Sequence, residues 1–245
     1  MRRILAGLVA LGFASGVVTG TASASSRAPG GAVFAPLLRK TLALRSVTVD
    51  TSLDAYPAGT SQLRGTADTI VDLAAHRASG YAEIDPNTNI QWWRDGDEVR
   101  LQGFAVDVRG MTVTITDPDP AWSPPQATTG ATFALVTLLR DARSVHRLPG
   151  GRYEFTLPMP RLDRRLRVAM QQTSPNLGDV FSGLAGRYTR GTGTAYVSNG
   201  RIVRVEYVVH GGSERPSAAI AWGLSRLGRS HPDPSPGPMT ARPVD

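Results

Sequence analysis

Apolar positions along this chain keep two rhythms, helical at the start and strand-like through most of the remainder. Phe34, Leu38 and Leu42 recur every four residues, and Pro36 suits a helix first turn, which predicts a helix to about Leu44. From Ser46 to Thr51 the period becomes two, the mark of a half-buried strand. Residues 63–73 and 77–84 read as two more strands, with Gly80 weakening the second. Two hairpins are sharper. Residues 90–94 and 97–101 flank Asp95-Gly96, a type I′ signal, and a two-residue loop there pairs Trp92 with Val99 and Ile90 with Leu101. One face then carries these four residues. The other carries Gln91, Trp93, Glu98 and Arg100, so Trp93 points away from the core. The second hairpin closes at Asn199-Gly200, pairing Tyr196 with Val203 and Thr194 with Val205 and leaving Ala195, Arg204 and Glu206 outside.

Further elements fill the middle. Residues 104–108 and 112–116 are strand candidates, with a phase slip at Gly103 that predicts a bulge or break. Asp117-Pro118-Asp119-Pro120 stops the sheet. Thr128 or Thr129 can cap a helix over 131–143, faced by Ala131, Leu135, Leu138, Leu139 and Ala142. Residues 152–157 read as a strand and 162–172 as a short basic helix. Ser174-Pro175 opens another helix, with Leu177, Val180, Phe181 and Leu184 on one stripe and Gly186 as its stop. Residues 218–227 around Trp222 fit helix or strand. The sum is an α+β fold: one curved antiparallel sheet of about eight to eleven strands, polar on one face, with helices covering its concave face.

Both termini read as lying outside the domain. Arg2 and Arg3 precede an apolar run over residues 4–20, and Ala22-Ser23-Ala24 supplies a small-x-small cleavage pattern. Residues 1–24 are thus read as a signal peptide cleaved near Ala24, 25–32 as a flexible leader and 33–227 as a single domain. A retained N-terminal anchor is the other reading of the apolar run. Residues 228–245 alternate proline with Ser, Gly, Arg and Asp, and are read as a disordered tail. The expected location is secreted or extracytoplasmic.

Composition removes several chemistries. With no cysteine among 245 residues, disulfides, thiolate metal sites and Cys nucleophiles are excluded. Lys40 is the only lysine, which removes Schiff-base and P-loop chemistry. His76, His146, His210 and His231 lie far apart, so no metal site is expected. Asp85-x-Asn87-x-Asn89 begins like a calcium loop but has Ile90 where glycine belongs. Asp117 and Asp119 sit in a proline turn, and Ser182 lacks a nucleophile-elbow context. No enzyme and no cofactor are expected. The basic stretch around Arg161, Arg164, Arg165 and Arg167 is a candidate for anionic head groups, with a solvated face as the plain alternative. Nucleic acid is not expected, since stacking aromatics are not interleaved with it. The chain is expected to be monomeric.

The signal peptide, the N-terminal helix entering Ser46-Val47-Thr48-Val49, the turn Arg94-Asp95-Gly96-Asp97, the helix with Leu138-Leu139 and the late Asn-Gly hairpin resemble the LolA-like lipoprotein carriers, especially the LppX/LprG group. That resemblance spans about residues 33–210. It implies a half-barrel closed by helices, carrying a lipid or lipidated protein across the cell envelope, and no catalytic residues. This sequence departs from the group in lacking the lipidated cysteine. An RseB-like envelope sensor of the same fold, holding a protein partner, is the alternative.

A carrier role has a physical requirement. Each methylene in water costs about 0.8 kcal/mol, so a 16-carbon chain faces roughly 13 kcal/mol on leaving a bilayer and travels only inside an apolar cavity. The candidate walls are Val47, Val49, Ile70, Trp92, Val99, Leu101, Val113, Ile115, Phe155, Tyr196, Val203, Val205 and Tyr207. The candidate lids are Leu135, Leu139, Val180, Phe181 and Leu184. A plain packed core is the competing account of each.

Overall fold

The computed structural model describes residues 30–56, 62–84, 88–96, 98–106, 112–115, 125–183, 188–211, 217–228 and 231–232, with backbone alone for 56, 88–89, 98–106 and 112–115. The signal peptide, the calcium-like loop start, the Asp117–Asp119 turn, Leu184, Gly186 and nearly all of the tail lie outside the described residues.

The chain opens with helix α1 (Gly30–Leu42) and a six-strand meander: β1 (Ser46–Tyr56), β2 (Leu63–Asp72), β3 (Arg77–Ile84), β4 (Thr88–Asp95), β5 (Glu98–Val106) and β6 (Thr112–Ile115). Helices α2 (Thr129–Thr132) and α3 (Ala134–Thr137) and a 3-10 turn (Leu138–Asp141) come after it. Next come β7 (Arg143–Leu148), β8 (Arg152–Leu157), α4 (Asp163–Thr173), α5 (Pro175–Gly183), β9 (Arg190–Ser198), β10 (Arg201–His210) and β11 (Ser217–Ser225). All eleven strands form one curved antiparallel sheet in the order β6-β5-β4-β3-β2-β1-β11-β10-β9-β8-β7. The two meanders therefore join where the first and last strands pair, from Thr48 opposite Ser225 to Tyr56 opposite Ser217.

Alternation along each strand sends one set of side chains inward under the helices. Val47, Val49, Leu53 and Ala55 of β1 lie beside Ala67 and Val71 of β2 on one side and Ala218, Ile220 and Trp222 of β11 on the other. The helices pack chiefly on two zones. Helix α1 lies on β7 and β10, and α5 on β1, β2 and β3, while α4 runs beside α5. Over β10 and β11 the ties are polar: Tyr207 Oη donates to Leu135 O at 2.7 Å and Trp222 Nε1 to Thr132 O at 3.3 Å.

Several sequence expectations need correction. Gly30 is buried and donates its amide to Ala142 O at 3.0 Å, so residues 30–32 belong to α1 and Pro36 lies in its interior. The helix expected over 131–143 is broken at Phe133 (φ −108°, ψ 14°), whose ring is buried edge-on to Trp222 at 6.2 Å. Anchoring that ring to the sheet takes precedence over helix continuity. Residues 138–141 tighten into a 3-10 turn and Arg143, the last residue of the expected helix, opens β7, which the sequence did not signal. Thr128 is the cap, accepting from the Ala131 amide at 3.3 Å. In the first hairpin Asp95 pairs with Glu98 and Trp92 with Leu101, a slip of two that preserves the faces, and register runs through Gly103 without a bulge. Trp93, expected at the surface, lies on the opposite face from Trp92 and is nonetheless buried. In the second hairpin a bulge falls between Ile202 and Arg204. Arg204 then pairs with Tyr196 and Val205 with Ala195, which turns Ala195 inward and Thr194 outward.

Candidate functional site

The concave face holds most of the proposed walls and lids. Val47, Val49, Trp92, Leu135, Leu139, Phe155, Phe181, Val205 and Tyr207 join one apolar cluster, and none keeps more than 3 % of its surface exposed. A side chain bordering a water-sized void would retain accessible surface on that void. These residues instead pack on one another in van der Waals contact. Val180 is half-buried against the same cluster. Aromatic contacts run through it, with Phe155 edge-on to both Phe34 (5.9 Å) and Tyr207 (5.9 Å). Burial pushes the Tyr207 phenol far above its ordinary range, so it stays a neutral donor.

Two proposed walls are on the wrong face. Ile70 lies opposite Thr48 and Ser79, on the outer face of the sheet, because the buried position of β2 is Thr69. Tyr196 is turned outward by the β9–β10 bulge and donates to Glu206 Oε2 at 3.1 Å. Val203, the residue between the shifted pairs, is half-buried. For Val99, Leu101, Val113 and Ile115 the backbone places Leu101 opposite Trp92 and Ile115 opposite Gly103, and their side chains are outside the description.

The four candidate arginines do not form one patch. Arg167 is half-buried and fully engaged. Its Nε donates to Asp163 Oδ2 at 3.2 Å and an Nη to Phe181 O at 3.1 Å, and its guanidinium lies 5.3 Å from both the Phe181 and Tyr188 ring centroids. Those two rings stack at 5.4 Å, and burial pushes the Tyr188 phenol up to about 12. Arg165 pairs with Asp141 at 2.5 Å. Of these four, Arg161 and Arg164 are exposed without an ion pair among the described residues.

The sequence did not single out a cleft of about 470 Å³ at one end of the sheet. It is lined by His76, Arg94, Gly96, Gln126, Ala127 and Thr128. Two turns build its floor. Asp72 Oδ1 accepts from the Ala74 and Ala75 amides, each at 3.0 Å, shaping the β2–β3 turn that ends at His76 (φ 54°). Gly96 (φ 59°) opens the β4–β5 turn and donates its amide to His76 O at 3.1 Å. Arg94 Nε in turn donates to Gly96 O at 3.0 Å. Arg94 lies on the same side of β4 as Trp92 and Ile90, so the cleft sits at the end of the concave apolar row. The Asp-Gly pair and Asp72 were the available sequence signals, but nothing in the sequence brought residues 126–128 to them.

Among the described residues no three potential metal-ligating side chains gather, and no helix is long and apolar enough to cross a membrane.

No family model matches this chain, and no curated protein matches it. Among solved structures it is similar to a DUF1329 family protein from Desulfovibrio piger, at 10 % identity over 81 % of this chain and 92 % of that one, with a TM-score of 0.27. A LolA superfamily protein from Nitrosomonas europaea is similar at 7 % identity over 85 % and 96 %, with a TM-score of 0.26. Superpositions this loose identify no family. The sheet, its helices and the cleft are what bear on function.

Proposed function

We propose that this protein is exported and binds a lipid or other amphipathic ligand against the concave face of its sheet, without catalysing a reaction. The observation that carries this reading is that the inward apolar row continues beyond the main zones of helix packing. It runs from β10 through β11, β1, β2 and β3 to Ile90 and Trp92 of β4, ending at an open cleft. The row is buried, with Ile90 4 % and Trp92 2 % exposed, so it serves an acyl chain leaving a bilayer only when the covering layer moves aside. The covering elements suit a movable layer. Helices α2 and α3 and the 3-10 turn have four residues each, and single hydrogen bonds tie Thr132 and Leu135 to the sheet.

Native mass spectrometry of the purified mature protein tests this. The expected result is co-purifying lipid, or uptake of a fluorescent 16-carbon fatty acid by protein purified free of it. A protein that carries no lipid and takes up none contradicts the reading. The tight packing of the described core favours one alternative, a sensor or interaction module that uses the sheet as a rigid scaffold. That protein would retain a stable envelope partner and no lipid.

A further inference from the structure

We infer that the cleft at the end of β4 is a head-group site for a phosphate-bearing amphiphile, with Arg94 as its principal cation; this rests on the ligand-binding reading above. The first support is donor chemistry. The side chains lining the cleft offer the Arg94 guanidinium, the His76 ring, the Gln126 amide and the Thr128 hydroxyl, and no carboxylate is among the described residues that line it. Thr128 Oγ1 already accepts from the Ala131 amide, which leaves its proton for an outside acceptor. Two nearby acids among the described residues are engaged: Asp95 pairs with Arg77 at 3.0 Å, and Asp72 accepts two turn amides.

The second support is preorganisation. Arg94 Nε is held by Gly96 O, which fixes the plane of the guanidinium and leaves its two terminal nitrogens to meet an anion. The tie from the Gly96 amide to His76 O locks the two turns that present Arg94 and His76. Position supplies the third support. Along β4 the same face reads Arg94, Trp92, Ile90, and two residues of strand advance about 7 Å. An anion at Arg94 would therefore bring an attached chain to the edge of the buried Trp92 ring, where it enters the apolar row as the covering layer moves aside. About 470 Å³ accommodates a phosphate with a small polar substituent.

Arg161 and Arg164, exposed in α4 and the turn before it, offer no comparable frame, since no hydrogen bond among the described residues orients either guanidinium. Arg165 and Arg167 are consumed by Asp141 and Asp163.

The test compares a 16-carbon alkyl phosphate with the 16-carbon alcohol, in wild type and in Arg94→Gln, while inorganic phosphate alone is followed through the amide resonances of Gly96, Gln126 and Thr128. The alkyl phosphate is expected to bind about tenfold more tightly than the alcohol. That preference should fall to within about twofold in Arg94→Gln and recover partly in Arg94→Lys, with alcohol binding unchanged. If neither alkyl ligand binds but inorganic phosphate shifts those amides in wild type and not in Arg94→Gln, the anion site stands as a free-phosphate site and the apolar-ligand reading fails. Equal binding of phosphate and alcohol in both proteins, with no amide shifts, overturns the head-group site whatever becomes of the lipid reading.

Discussion

Thr41 illustrates how much one hydroxyl can settle. Buried in α1, it donates to Leu37 O at 2.9 Å and accepts the Ile202 amide at 2.9 Å, beside the bulge where the β9–β10 ladder shifts. Thr41→Val keeps the shape and removes the acceptor, leaving a buried amide unpaired. Urea denaturation should show a loss of about 1–3 kcal/mol, with Thr41→Ser losing less. An unchanged midpoint would mean that water replaces the bond. On the outer face Asp50 lies directly opposite Asp68. Burial and the neighbouring Asp68 carboxylate push the Asp50 carboxyl up to about 6 from its ordinary 3.8, against weaker lowering by Ser225 and Arg204. The folded state therefore holds this proton more tightly than the unfolded chain. Its stabilising contribution is full below about pH 4 and is lost as the pH rises through 6. Asp50→Asn should match wild type near pH 4 and exceed it at pH 7.5, by no more than about 1 kcal/mol because the site is partly solvated. Melting curves at the two pH values check this, and equal differences at both would refute it.

At the scale of elements, the legible features came from local rules and the missed ones from tertiary rules. Period-two runs and turn residues located β1 to β4, β8, β9 and β10, and Asn199-Gly200 marked its hairpin correctly. The bulge beyond it is invisible to periodicity, because Ile202, Val203 and Val205 are all good inward residues and only packing chooses which one is surplus. Thr69 and Ile70 pose the same difficulty, since both favour strands. β11 stayed undecided for another reason: its outward positions are Ala219, Ala221 and Gly223, small residues that blur the alternation with Ala218, Ile220 and Trp222. Gly80, read as a weakness in β3, is where the Trp92 ring meets the backbone, and a Cβ there would overlap it. Phe133 broke the expected helix because its ring belongs to the sheet. Phe133→Ala should cost about 3–5 kcal/mol and loosen α2 and α3 together. Faster amide exchange in 129–137 with the β1–β11 ladder still protected is the expected signature. Uniformly accelerated exchange would show that Phe133 supports the whole core instead.

Across the whole molecule, one topological fact organises the rest. Pairing β1 with β11 puts the two ends of the domain at the centre of its sheet, with one meander spreading to each side. The inward row crosses that seam from Val205 and Tyr207 through Trp222, opposite Thr51, and passes Thr69 and Gly80 between Val49 and Trp92. Of the candidate site, the apolar row was readable from alternation, whereas the cleft was not, because two turns and the distant segment 126–128 build it. The most direct measurement is NMR with a doxyl-labelled 16-carbon fatty acid, watching side-chain methyls on both faces of the sheet. Binding beneath the helices predicts paramagnetic broadening of the Val47, Leu135 and Val205 methyls while those of Ile70, on the outer face, stay sharp. Sharp methyls throughout, or broadening of Ile70 to the same degree, would contradict it.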